Sequence, residues 1–278
     1  MDKRIIAALL IILLAFFVYF KRPNNKNPNE IEKGVSMADE KIPNLTITVI
    51  YDNYEYDKKL QTGWGFSCLV EFGDKNILFD TGGDSPTLLG NMEKLDIDMK
   101  KIDAIVLSHI HGDHVGGLKG VLKINPDVTV YGLKSFPKDF KDEIKSYGSN
   151  YTDVGEPIKI FDGVYTTGEM GTSIKEQSLV LKTDKGIFVV TGCAHPGIVS
   201  IVKKAKEITN ADIYLVFGGF HLGSASDADL DQIINAFREM GVKKAGPCHC
   251  SGDRCRELFK EEYSNDFVEI GVGKIIEI

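Results

Sequence analysis

The chain has 278 residues, with 33 Lys and Arg against 40 Asp and Glu, and a formal net charge of −7 at pH 7. No basic block occurs beyond short pairs such as Lys203-Lys204, so nucleic acid is not the expected partner. The 43% hydrophobic content supplies a core without disulfide staples, and five cysteines (Cys68, Cys193, Cys248, Cys250, Cys255) are an odd count for a disulfide framework.

Ile5 to Phe20 is an unbroken apolar run between Lys3-Arg4 and Lys21-Arg22. As a helix it reaches roughly 24 Å, a little short of a ~30 Å hydrocarbon core, with Lys and Arg able to snorkel across the difference. No small-residue cleavage site follows it. The expectation is an uncleaved membrane anchor over residues 1–22, a polar linker over 23–43 and a catalytic domain over 44–278. The short N-terminus places that domain outside the cytoplasm of a single-pass membrane protein.

Leu45 to Tyr51 alternates β-formers and reads as the first strand. Gly63-Trp64-Gly65-Phe66 reads as an aromatic loop feeding a strand from Ser67 to Phe72, with a hairpin turn into Ile77 to Phe79. Trp64, the only tryptophan, either packs in the core or sits on a loop covering a ligand. Leu88 to Leu95 is a short helix, Ile102 to Leu107 a buried strand, Leu118 to Lys123 a helix and Val128 to Tyr131 a strand. Residues 134–157 are polar and variable in pattern, and read as an insert expected to set substrate shape. Ser178 to Leu181 and Gly186 to Thr191 form a hairpin. Ile198, Ile201, Val202, Ala205 and Ile208 have helical spacing. Ile213 to Phe217 is a strand. Leu230, Ile233, Ile234 and Phe237 mark a helix with Ser226 and Asp229 at capping-box spacing and Gly241 as a stop. A strand near Val242 to Ala245 and a final helix and strand close the chain.

The densest chemistry is Ser108-His109-Ile110-His111-Gly112-Asp113-His114, directly after the apolar run Ile105-Val106-Leu107. Imidazole and carboxylate suit zinc and related ions. In an extended segment His109, His111 and Asp113 share one face, and His114 turns beside them. The other three histidines, His195, His221 and His249, also follow strand candidates, so all six sit in strand-end contexts.

The His-x-His-x-Asp-His run resembles the signature of the metallo-β-lactamase superfamily. Ile77-Leu78-Phe79-Asp80-Thr81-Gly82-Gly83 resembles its first motif, an Asp at a strand end followed by a glycine turn. Gly-Trp-Gly-Phe-Ser-Cys-Leu-Val-Glu, Thr-Gly-Cys-Ala-His-Pro-Gly, Gly-Gly-Phe-His-Leu and Cys-His-Cys together resemble a narrower subgroup. That subgroup is named for 7,8-dihydropterin-6-yl-methyl-4-(β-D-ribofuranosyl)aminobenzene 5′-phosphate synthase.

The resemblance implies an α/β fold, a four-layer αβ/βα sandwich, with two divalent ions: zinc first, manganese or iron as alternatives. One ion takes His109, His111 and a later histidine; the other takes Asp113, His114 and the last histidine. Cys193 stands where the bridging aspartate belongs, and His195 replaces a missing upstream histidine. His221 and His249 compete for the final place. Asp80 becomes a carboxylate that orients a ligating histidine. Asp113 and His114 are the expected catalytic residues, and Trp64 and Phe66 the substrate loop. The expected function is a metallo-hydrolase acting on a small ester, lactone or phosphoester. A transferase of the synthase type and a non-enzymatic metal- or redox-responsive binding protein are the alternatives.

Overall fold

The computed structural model describes residues 44–278. In chain order the elements are β1 (Leu45–Tyr51), β2 (Ser67–Phe72), β3 (Lys75–Phe79), α1 (Ser85–Lys94), β4 (Ala104–Val106), α2 (Gly112–Val115), α3 (Leu118–Ile124), β5 (Thr129–Leu133), α4 (Lys138–Ser146), β6 (Asn150–Val154) and β7 (Lys159–Phe161). There follow β8 (Val164–Thr166), β9 (Leu179–Thr183), β10 (Gly186–Thr191), α5 (Ile198–Thr209), β11 (Ile213–Gly219), α6 (Asp227–Glu239), β12 (Lys244–Cys248), α7 (Asp253–Tyr263) and β13 (Ile275–Glu277).

The strands form two sheets, ordered β13-β1-β2-β3-β4-β5-β6 and β12-β11-β10-β9-β8-β7. Their central strands are nearly unbroken apolar runs because both faces are covered. In β10, Phe188 and Val190 enter the core shared by the two sheets, whereas Ile187 and Val189 enter the core under α5, α6 and α7. In β4, Ala104 and Val106 face the shared core and Ile105 faces α1 and α3. The period-two pattern of each strand thus builds a helix–sheet–sheet–helix sandwich.

Local signals set the element ends. Asp84 caps α1 by accepting the Thr87 N–H at 2.8 Å. The expected capping box of α6 is formed: Asp229 N–H donates to Ser226 Oγ at 3.3 Å and Ser226 N–H to Asp229 Oδ2 at 3.4 Å. β3–β4–β5 run parallel, as do β10–β11–β12. This gathers the loops after β3, β4, β10, β11 and β12 at one end of the sandwich.

Two expectations are corrected. Residues 134–157 are no separate insert: they form α4 and the strand β6, which extends the first sheet beside β5. Their polar pattern reflects an exposed helix and an edge strand, and Phe136 and Phe140 pack on each other at 5.6 Å beside the core. The membrane assignment is the second. The expected anchor and linker lie outside the described residues, and among the described residues no helix is long and apolar enough to cross a membrane. The longest, α6, has 13 residues, which is about 20 Å of helix. The expected single-pass membrane protein with an external domain therefore has no structural basis among the described residues.

Candidate metal centre

The His-rich stretch leaves β4 and turns at once into the four-residue α2, with His111 as its N-cap. Gly116 and Gly117 let this turn press on the first sheet: an added Cβ would strike the backbone oxygens of Gly83 and Thr81 respectively. Asp80, at the end of β3, anchors the loop. It sits in the left-handed region (φ 55°) and is fully buried. Its Oδ1 accepts the Ser108 N–H at 2.7 Å and its Oδ2 the Ser108 hydroxyl at 2.6 Å. The same Oδ2 lies 2.7 Å from His114 Nδ1. With the proton on Nδ1, the lone pair of His114 Nε2 faces the other donors.

Those donors converge. Cys193 Sγ is 3.2 Å from His114 Nε2, and Asp113 Oδ2 is 3.7 Å from the same nitrogen. His249 Nε2 is 3.4 Å from Asp113 Oδ2, without the alignment of a hydrogen bond. Asp113, His114, Cys193 and His249 make one group of donor atoms within 4.8 Å of one another, and His109, Cys193 and His195 make another. His109 Nε2 is 3.0 Å from His111 Nδ1, and the His111 and His195 rings lie 5.0 Å apart. His195 Nε2 and His249 Nε2 are buried with no hydrogen-bond partner. Buried imidazole nitrogens without partners, facing carboxylate and thiol, are what a cation site requires.

The electrostatics agree with this donor set. Burial, reinforced by the His221 and His111 imidazoles, pulls His195 down to about 4, so it is held as the neutral ligand form. Burial and its neighbours push His109 well below the usual histidine range. Burial opposes charge on His114, but Asp80 outweighs it and His114 is raised. Burial works to raise Asp113, and His249 and His114 overcome it, leaving the carboxyl at about 2.

His221 does not join Asp113 and His114; His249 occupies that place. His221 is exposed, its ring stands 4.3 Å from that of His195, and its donor partners are Cys193 and Cys250. Cys68 is buried in the core between the sheets.

Of the expected substrate loop, only Trp64 is at the surface. It is 62% exposed, with its ring 5.0 Å from that of His249. Phe66 is corrected to a core residue: it is fully buried, 6.4 Å from Phe79 and 6.5 Å from Phe217 in edge contacts. It enters just before β2, and its side chain falls on the inner face shared by the sheets.

Two further residues at this end of the sandwich hold the donor loops. Asn53 fixes His249: its Oδ1 is 3.0 Å from His249 Nδ1 and its amide donates to the His249 carbonyl at 3.3 Å. Glu176, 1% exposed, accepts the backbone N–H groups of Cys193 and Ala194 on Oε1 at 2.9 and 2.8 Å, and that of His195 on Oε2 at 2.8 Å. Neither stands near a ligand in sequence, and no local pattern marks them.

Residues 65–195 match the family model of the metallo-beta-lactamase superfamily. A curated protein of Methanocaldococcus jannaschii, 7,8-dihydropterin-6-methyl-4-(beta-D-ribofuranosyl)-aminobenzene-5′-phosphate synthase, is 32% identical over 286 residues, covering 85% of this chain and 97% of its own. An uncharacterized protein of the same organism is 35% identical over 84% of this chain and all (100%) of its own. Among solved structures, one described as a metal-dependent hydrolase of the beta-lactamase superfamily superposes with a TM-score of 0.71 at 29% identity, covering 84% of this chain and 99% of that one. The chain belongs to the metallo-β-lactamase superfamily, an enzyme fold that implies divalent metal. Within it, the chain is similar over 85% of its length to the dihydropterin–aminobenzene phosphate synthase of M. jannaschii.

Proposed function

We propose that the chain is a metal-dependent group-transfer enzyme of the kind its M. jannaschii relative is named for. It would join a dihydropterin through its methylene carbon to the amine of a ribofuranosyl-aminobenzene phosphate. The relative's likeness over 97% of its length supplies the class. The observation in this molecule that carries it is Trp64, an exposed indole 5.0 Å from the His249 ring at the edge of the donor cluster. A flat aromatic face beside the donors suits two flat aromatic substrates better than a small aliphatic ester.

In this reading His109, His111 and His195 would hold one divalent ion and Asp113, His114 and His249 the other, with Cys193 a further donor that stands in both donor groups. Zinc is the first choice and manganese or iron the alternatives. When bound, such ions neutralise charge on a departing phosphate and acidify a coordinated water. Asp80 keeps the His114 proton on Nδ1. Asn53 holds the His249 ring. The arylamine nitrogen would displace diphosphate from the pterin methylene and give up its proton to the departing diphosphate, while Asp113, half-buried and ionised, would stay a ligand.

A hydrolase is the second reading, favoured by the superposable metal-dependent hydrolase: water takes the place of the amine on an ester, lactone or phosphoester. Membership of this enzyme family speaks against a non-enzymatic metal- or redox-responsive binding protein. The test is to incubate the metal-loaded chain with dihydropterin diphosphate, with and without the ribofuranosyl-aminobenzene phosphate. Coupled product formed only with the amine supports the transferase. Diphosphate release without coupling, or turnover of simple esters or lactones, supports the hydrolase.

A further inference from the structure

Glu176 lies in the connection from β8 to β9, bridged to Met170 by paired backbone hydrogen bonds of 2.9 and 3.0 Å. It is a carboxylate in a place where burial disfavours charge. Its oxygens are taken up by three consecutive backbone N–H groups, those of Cys193, Ala194 and His195. Successive N–H groups converging on one anion form a nest, and each bond is charge-assisted. The middle residue, Ala194, has φ 61°, a conformation an alanine does not adopt without compensation. The residues on either side of that strained alanine are Cys193 and His195, whose Sγ and ring nitrogen meet His109 in one donor group.

We infer that Glu176 is a positioning residue for the metal centre: its carboxylate templates the backbone of residues 193–195, and so aims Cys193 Sγ and His195 Nε2 at the other donors. The inference rests on the metal-ligand reading proposed above. A carboxylate is required at this position. Glutamine of the same length retains one acceptor oxygen for Cys193 and Ala194, but turns an amide donor towards the His195 N–H. The loop then relaxes from the left-handed turn at Ala194, and the thiol and imidazole part from the cluster.

The experiment compares the full chain with E176Q and E176D by cobalt(II) titration and by hydrogen–deuterium exchange of the metal-free protein. Wild type is expected to bind cobalt with a thiolate-to-cobalt charge-transfer band from Cys193. E176Q is expected to lose about 10- to 100-fold in cobalt affinity, with a weakened band. In its metal-free form the amides of residues 193–195 exchange faster, while those of β10 and β11 keep their protection. E176D keeps the charge, and partial return of the band relative to E176Q supports templating by the carboxylate. Wild-type cobalt affinity and band in E176Q overturn the proposal, as does exchange that rises evenly across both sheets. If E176Q does not fold, E176D decides: an unchanged affinity and band overturn it, a weakened band supports it. A wild-type chain that binds no cobalt overturns the metal-ligand reading and this proposal together, whereas equal binding by wild type and E176Q removes this proposal alone.

Discussion

Asp80 Oδ2 sits 2.7 Å from His114 Nδ1, and both side chains are fully buried. That one contact sets which nitrogen of His114 is free to bind a cation. Asp80→Asn replaces an acceptor with an amide donor or removes the charge, and no longer holds the proton on Nδ1. A loss of about 10- to 100-fold in metal affinity is expected, read by competition with a chelator. Unchanged affinity would show that the Asp80–His114 contact does not tune the ligand.

Trp64 is the chain's only tryptophan, so its emission reports on the site directly. Dihydropterin binding is expected to quench it. Trp64→Ala should raise KM for the aromatic substrate by about 2- to 10-fold, the worth of a ring–ring contact, and leave the unfolding temperature nearly unchanged because the indole is 62% exposed. An unaltered KM would remove Trp64 from the substrate face.

Phe66 makes the opposite prediction. Its ring is buried between Phe79 and Phe217. Phe66→Ala should cost about 3–5 kcal/mol of stability through the cavity it leaves, measured by denaturant unfolding. A variant as stable as the parent would contradict the core assignment.

Asp52 carries a pH dependence. Burial pushes its carboxyl up to about 6 from an ordinary 3.8; the Cys248 thiol and the N–H of Tyr54 only partly offset this. The sign follows from a raised folded-state value. The protonated acid favours the fold below 3.8, and that contribution is lost as pH rises through about 6. Keeping Asp52 ionised at neutral pH then costs on the order of 2–3 kcal/mol. Asp52→Asn removes the titration. The unfolding temperature of the variant relative to the parent should therefore rise between pH 3.8 and about 6 and level off above. A difference that is flat with pH would refute it.

The sequence by itself determined the local chemistry. His109, His111, Asp113 and His114 are so close along the chain that one strand end and one turn of helix bring them together whatever the rest of the fold does. The apolar runs of β4, β10 and β11, the apolar stripe of α5 and the capping box of α6 were legible for the same reason: each is a pattern among near neighbours. Only the tertiary structure separated His249 from His221 in space. It did so by laying β12 beside β11 and carrying His249 onto Asp113 while His221 stayed at the rim. It also sent Phe66 inward, made residues 134–157 a helix and an edge strand, and brought Glu176 and Asn53 to the ligand loops. Asn53 and His249 stand 196 positions apart. Contacts at that separation depend on strand order and loop path, which have no period along the chain, so they become visible only when the two sheets close on each other.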